Sequence, residues 1–163
     1  MNTVCIVTHN RLAALERLLC SPHLLPPDGR VWVLDQGSTD GTGAVLSAWV
    51  RARPDVRTAF HRPRLTGVSE ARGWLVERAL AEGLRRDDAL LFLDDDIAIE
   101  RPDWWRPLLA ALRQPDVWAA GVEGRLVTPD WMTVAAPFLP GPVDYVSGGW
   151  CAIAGAAFLA GVQ

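Results

Sequence analysis

LLFLDDDIAIE, residues 90–100, runs from four apolar residues straight into Asp94, Asp95 and Asp96. The run ALLFLD (89–94) is the most apolar strand-like segment of the chain, which is the signature of the central strand of a parallel sheet. Side chains alternate along a strand, so Asp94 and Asp96 should point one way and Asp95 the other. Neighbouring carboxylates repel and raise one another's pKa, so the run calls for a compensating charge. Two carboxylates on one side make a hard oxygen site suited to Mg²⁺ or Mn²⁺, ions held by one or two carboxylates with waters and phosphates. Such a cation would offset the repulsion and steady a diphosphate as it leaves. The plainer alternative is a solvated acidic turn that caps a helix opening near Pro102.

Working outward, TVCIVT (3–8), VWVLD (31–35) and VRTAFH (56–61) read as three further strands, with another at VWAAGVEG (117–124). Helices are expected between them. The first follows Asn10 as N-cap, with an apolar stripe of Leu12, Leu15, Leu18 and Leu19, and stops at Ser21-Pro22. The second covers 42–52, capped by Asp40; the third runs from about Ser69 to Leu84; a fourth runs from Pro102 to about Arg113. Strand and helix alternate four times, which predicts an α/β fold with a mostly parallel, twisted sheet flanked by helices. Residues 145–163 lack charge and approach the length of a membrane span, but four glycines and a Ser-Gly-Gly turn favour a buried strand or loop and a short helix.

Ligands of such sheets sit beyond the carboxyl ends of the strands, where the strand order reverses. Three strands end there in THNR, DQGSTDGT and DDD, so the chemically interesting side chains converge on one sheet edge. Asp35 at that edge can accept a hydrogen bond from a nucleobase imide or a ribose hydroxyl, or it can form an Asx turn with the loop Gly37–Gly41. Asp40 reads as a helix cap. Arg11 and Arg72, each in a first helical turn, can reach an anion on this edge, or lie exposed. His9 is adjacent but reads as structural. Trp104 and Trp105 should pack the helix after the acidic turn, while Trp131 and Trp150 are candidates for stacking on a sugar ring. GSTDGTG is not a dinucleotide fingerprint, because it lacks the spacing and follows the second strand. A phosphotransferase of the haloacid dehalogenase type would carry its Asp-x-Asp on the first strand, not in mid-chain.

With 163 residues the chain is long enough for one domain with a real core, and half of those residues are hydrophobic. The net charge of −3 points to neither a nucleic-acid nor a membrane partner. All 16 basic residues are arginine, which excludes a Walker-type phosphate loop and a Schiff-base lysine. Three scattered cysteines without metal spacing and an N-terminus without a signal-peptide pattern fit a cytoplasmic protein.

Taken in order, these segments resemble the nucleotide-binding half of a family-2 glycosyltransferase with the GT-A fold. VCIVTHNRLAALERLL (4–19) is similar to that family's opening strand, Thr-x-Asn-Arg turn and helix. VWVLDQGSTDGT (31–42) resembles its Asp-x-x-Ser-x-Asp-Gly-Thr segment, and GVSEARGWLVERAL (67–80) its Ala-Arg helix entrance. LLFLDDDIAIERPDWW (90–105) matches the strand, DxD motif and following helix, and VSGGWCAIAGAAFLAGV (146–162) resembles the Gly-rich strand and helix of the acceptor side. The resemblance implies one GT-A-like domain over 1–163, with 1–100 as nucleotide-binding half and 101–163 as a partial acceptor-side half. It implies a Mn²⁺- or Mg²⁺-dependent, inverting transfer from a nucleoside-diphosphate sugar, UDP-sugar favoured, to an unknown acceptor. Thr8, Asn10 and Arg11 would border the base pocket and Asp35 would recognise the base. Arg72 would help hold the nucleotide, and Asp94 and Asp95 would lie near ribose and sugar. Asp96 would be the favoured metal ligand, with Asp94 beside it; Gly148, Gly149 and Trp150 would face the donor sugar or acceptor.

The chain departs from that pattern at His9, where an aromatic is usual, and at Gly73, where Asn commonly follows Ala-Arg. The family's catalytic carboxylate, in an acidic motif several tens of residues after the Gly-rich segment, has no counterpart, and Glu123 and Asp144 are the only plausible late acids, neither in matching context. The chain therefore reads as a truncated or degenerate transferase, one completed by a second chain or an oligomer, or a compact one. A non-catalytic nucleotide-sugar-binding or partner-binding module is the alternative. A nucleotidyltransferase of similar topology would open with a glycine-rich first turn, which THNR is not.

Overall fold

The computed structural model describes residues 1–122, 124–127, 133–135, 145–146 and 149–160, with side-chain surroundings for 1–122 and 149–160. The expected alternation is present: β1 (Asn2–Thr8), α1 (Leu12–Leu19), β2 (Arg30–Asp35), α2 (Thr42–Ala52), β3 (Arg57–His61), α3 (Val68–Ala81), β4 (Ala89–Asp94) and α4 (Arg106–Ala111). Then come β5 (Ala119–Gly121), β6 (Gly124–Val127), β7 (Thr133–Ala135), β8 (Tyr145–Val146), β9 (Trp150–Ala154) and α5 (Gly155–Leu159).

The main sheet has the order β3-β2-β1-β4-β9-β5, and a second, three-stranded sheet has the order β7-β6-β8. β3, β2, β1 and β4 are mutually parallel, and β9 runs antiparallel to both its neighbours. The chain thus steps outward from β1 to β3 and returns to place β4 on the other side of β1. That return is the reversal of strand order at which an α/β sheet opens a crevice.

Alternation along the strands divides the core in two. Val4, Ile6, Val31, Val33, Leu91 and Leu93 face one way, against Leu15 and Leu18 of α1, Leu46 of α2 and Leu108 of α4. Cys5, Trp32, Leu34, Leu90 and Phe92 face the other, against Ala71, Leu75 and Ala79 of α3. The helices of the two outward steps share one face and the helix of the return covers the opposite one, as right-handed crossovers require. Burial pushes the Cys5 thiol up to about 12, so it behaves as a small apolar group.

Several boundaries differ from the sequence expectation. Asn10 is not the cap of α1: it takes a left-handed conformation (φ 50°), and Arg11 is the capping residue, with no side-chain bond to the helix amides. The orphan amide of Leu12 instead donates to Asp40 Oδ2 at 2.9 Å, from the loop after β2. The same carboxylate, through Oδ1, accepts from the Thr42 amide at 3.2 Å and the Thr42 hydroxyl at 2.6 Å, so Asp40 serves the starts of α1 and α2 together. The Thr42 hydroxyl, then the Leu12 amide, hold its pKa below the ordinary carboxylate value. The helix expected from Pro102 begins only at Arg106, because Pro107 has no N–H to return to Asp103, whose carbonyl is bonded by the Arg106 amide at 2.9 Å. The strand expected over 117–124 is split between the two sheets as β5 and β6, with exposed Val122 at the bend.

α3 ends three residues before the expected Leu84. Gly83 lies at φ 81°, its amide bonds Leu80 O, and the Leu84 amide bonds Ala79 O at 2.9 Å, the paired bonds of a Schellman motif. Leu84 folds back onto the face that α3 covers. Gly83→Ala, in open space but with an unfavourable φ, is expected to cost about 1 kcal/mol by chemical denaturation, with no change in the helical far-UV signal.

Candidate functional site

β1 and β4 end side by side at the reversal point, and the last residue of β1 is joined by its side chain to the turn after β4. The Thr8 hydroxyl donates to Asp95 Oδ2 at 2.7 Å, and both residues are buried. The strand stops at Asp94, so Asp95 and Asp96 stand in the following turn. The expected alternation nevertheless persists as burial: the side chains of Asp94, Asp95 and Asp96 are 47, 7 and 50 % exposed.

Sequence reasoning assigned the compensating charge to a metal ion. In the structure two arginines contribute to it as well. Arg11 Nη1 lies 2.6 Å from Asp96 Oδ2 and 3.2 Å from Asp95 Oδ1, and Arg72 Nη2 lies 2.8 Å from Asp94 Oδ1. The hydrogen bond to Asp96, followed by the charge of Asp95, raises the pKa of Arg11 above its already high value. Three carboxylates against two guanidiniums leave one negative charge in excess, so the corner retains capacity for a cation. Asp94 and Asp96 each keep one oxygen that no described hydrogen bond uses, at half-exposed positions. Two hard carboxylate oxygens on half-exposed side chains are the donor type that suits Mn²⁺ or Mg²⁺.

Asp94 is also clasped from β9. Its amide donates to Gly149 O at 2.9 Å, and a Cβ on Gly149 would stand 2.7 Å from Asp94 Oδ2. A side chain at 149 would push this carboxylate oxygen aside. Gly148 lies outside the described residues, as do Trp131, Glu123 and Asp144. Trp150 is half-buried beside Leu93, with its ring edge-on to Trp104 at 5.8 Å between centroids.

Asp35, at the end of β2, is buried under the same edge. Its Oδ1 accepts from the Ser38 amide (3.0 Å) and hydroxyl (2.5 Å), and its Oδ2 lies 2.9 Å from His61 Nδ1. The Asx-type turn expected as its plainer role is therefore present. The Ser38 hydroxyl also accepts the Asn10 amide at 2.9 Å, and Asn10 Oδ1 accepts the Thr39 amide at 2.8 Å. These bonds stitch the loop after β1 to the loop after β2, which is the local task of Asn10 in this structure.

A cleft of about 380 Å³ opens over this corner, lined by Thr8, His9, Arg11, Gln36 and the three aspartates on one side and by Leu65, Gly67 and Val68 on the other. Sequence reasoning missed that second wall. Leu65 and Val68 are at least half exposed although apolar; Leu65 belongs to a loop pinned by Gln36, whose Oε1 accepts the Thr66 amide (2.9 Å) and hydroxyl (3.0 Å), and Val68 opens α3 directly after it. It also missed His61, whose only signal is its register opposite Asp35 in the parallel pair. Thr8, Arg11, Arg72, Gly149 and the three aspartates are brought together; Asn10 and Asp35 are joined to them through the loop network, beneath and beside the cleft.

A second cleft of about 650 Å³ lies at the opposite edge of the sheet, between Arg86, Asp88, Leu112, Arg113 and Trp118. Among the described residues no helix is long and apolar enough to cross a membrane.

The geometry agrees with comparison to known proteins. The fold is similar to a mannosyltransferase from Pyrobaculum calidifontis in complex with GDP-Man and Mn²⁺, with a TM-score of 0.68 and 21% identity over 94% of this chain and 44% of that one. It is also similar to GalNAc-T7 with UDP, GalNAc and Mn²⁺, with a TM-score of 0.71 and 17% identity over 98% of this chain and 36% of that one. A 4-diphosphocytidyl-2C-methyl-D-erythritol synthase from Anaerococcus prevotii shares it at a TM-score of 0.58, with 13% identity over 98% of this chain and 72% of that one. At such identities the likeness is one of fold, and the chain spans less than half the length of the two transferases. A search of curated protein sequences finds no relative. The family model described as glycosyl transferase family 2 matches residues 3–144, a span that holds the β1 turn, Asp35, the Arg72 helix and the triple aspartate. The chain that builds this corner belongs to glycosyl transferase family 2.

Proposed function

We propose that this chain binds a nucleoside-diphosphate sugar, with UDP-sugars favoured, at the carboxyl ends of β1, β2 and β4, and serves its cation-dependent, inverting transfer to an acceptor. The observation that carries the reading is the convergence of three carboxylates and Arg11 on one cleft at the strand-order reversal, with Arg72 bonded to Asp94 of that cleft. The fold relatives in complex with GDP-Man and Mn²⁺, or with UDP, GalNAc and Mn²⁺, support it.

In this reading Asp96 and Asp94 hold Mn²⁺ or Mg²⁺, which when bound supplies charge that stabilises a departing diphosphate. Asp95, fixed by Thr8, orients the ribose and sugar end. Arg11 and Arg72 meet the phosphates, as guanidiniums do in bidentate fashion. Asp35, with Ser38 and Asn10, forms the floor of the base end, and Leu65 and Val68 offer an apolar wall to the face of the base. Gly148, Gly149 and Trp150 border the sugar and acceptor side. Residues 1–100 are then the nucleotide-binding half and 101–163 part of the acceptor side. Inversion requires a general base that takes the acceptor hydroxyl's proton during in-line attack. Glu123 and Asp144, outside the described residues, are the plausible acids late in the chain, and a second chain is the other source.

The first test is thermal unfolding with UDP, GDP, dTDP and CMP, each with and without Mn²⁺. At a hundred-fold excess over Kd, at least one diphosphate should raise Tm by on the order of 5–10 °C, and only with the cation. No response to any of the four removes the reading. A donor-hydrolysis assay then separates a transferase from a binding module. Gly149→Ala probes the clasp on Asp94: the cation-dependent Kd is expected to weaken about ten-fold, with Tm nearly unchanged because the crowded atom is the end of a side chain.

A further inference from the structure

The two arginines at the corner are not equivalent. Arg72 is mostly buried, with its side chain 21% exposed, its guanidinium over the Phe92 ring and one bond to Asp94. Arg11 is 54% exposed, stands at the first turn of α1, and straddles Asp95 and Asp96 with a single nitrogen. Ion pairs held at such exposed positions exchange readily, whereas a guanidinium packed on an aromatic face does not.

Arg11 therefore sits on an oxygen of the very carboxylate, Asp96, that the donor-binding reading gives to the cation, and the inference rests on that reading. We infer that Arg11 is an exchangeable counter-ion: it opposes cation binding at Asp96 when no diphosphate is present and favours it once a diphosphate is bound. The sign change follows from charge alone. A dication placed beside Asp96 is repelled by a guanidinium a few ångströms away. A diphosphate adds two or more negative charges to the same space, and Arg11, released from Asp96, pairs with them. The residue that resists the metal by itself then secures the metal and nucleotide together. Because such coupling is reciprocal, each ligand must raise the affinity for the other by the same factor. The half-exposed position and long stem of Arg11 allow the exchange without moving the backbone, which the network of Asn10, Ser38 and Thr39 holds.

The test is a Mn²⁺ titration of the full chain followed by the paramagnetic resonance of free Mn²⁺, with and without UDP or GDP. The wild type should bind Mn²⁺ weakly alone and more tightly with a nucleotide. Arg11→Gln should bind Mn²⁺ alone roughly ten-fold more tightly than wild type, and gain roughly ten-fold less from the nucleotide. Arg11→Lys, which keeps the charge, should stay near wild type, and Arg11→Met replaces the amide variant if that one is unstable. If the wild type shows nucleotide-dependent Mn²⁺ binding but the neutral variants bind Mn²⁺ alone no better, the inference falls and the donor-binding reading stands. If neither wild type nor variants bind Mn²⁺ with any nucleotide, both fall.

Discussion

Asp96→Ala is expected to lose at least about a hundred-fold in cation-dependent affinity for the nucleoside diphosphate, while the unfolding midpoint of the protein alone moves little. The two readouts separate because of where the residue stands. Asp96 is half exposed, lies beyond the end of β4, and its described hydrogen bond is with the exposed Arg11, which keeps Asp95 as a partner. Removing it leaves no buried group unpaired, so the fold has little to lose. The proposed cation site loses one of two carboxylates, and the diphosphate loses the charge that holds it. Isothermal titration with Mn²⁺ and UDP or GDP measures the first effect, and a thermal scan without ligand the second. Retention of wild-type cation-dependent binding would place the metal elsewhere and remove Asp96 from the site.

Leu91→Ala has the opposite profile. Leu91 is fully buried, in register between Val4 of β1 and Ala152 of β9, on the face covered by α1, α2 and α4. Truncating a leucine in such a place costs roughly 3–5 kcal/mol through lost transfer energy and the cavity left behind. For a chain of this size that is a fall in Tm on the order of 10 °C. Equilibrium denaturation should show the loss in the midpoint and not in the slope. A change of less than about 1 kcal/mol would mean that β4 is not the packed centre of the sheet. Because the strand also carries Asp94, nucleotide binding by this variant should be measured well below its midpoint, where the folded fraction retains wild-type affinity.

The parts of the site that were legible in advance were those in which neighbours along the chain settle the matter. ALLFLD became β4 at the expected residues, and helix 42–52 matched α2. The convergence of THNR, DQGSTDGT and DDD on one edge followed from strand direction alone, since parallel strands joined by helical crossovers must end together. Asp40 was readable as a partner for the start of α2, where it bonds Thr42 although Gly41 is the capping residue. Its second bond, to the amide of Leu12, was not, because that partner is 28 residues away and meets it only after β1 and β2 pair.

Burial patterns and turns arise from interactions within a few residues, so apolar periodicity and glycine placement were enough to establish an α/β chain whose polar residues gather at the strand ends. Which charge answers which could not be read that way. Arg11 meets Asp96 across 85 residues and Arg72 meets Asp94 across 22, while Gly149 reaches Asp94 only because β9 inserts antiparallel beside β4. Electrostatic pairing depends on distance through space and on local exposure to water, and both quantities come into being when the sheet assembles.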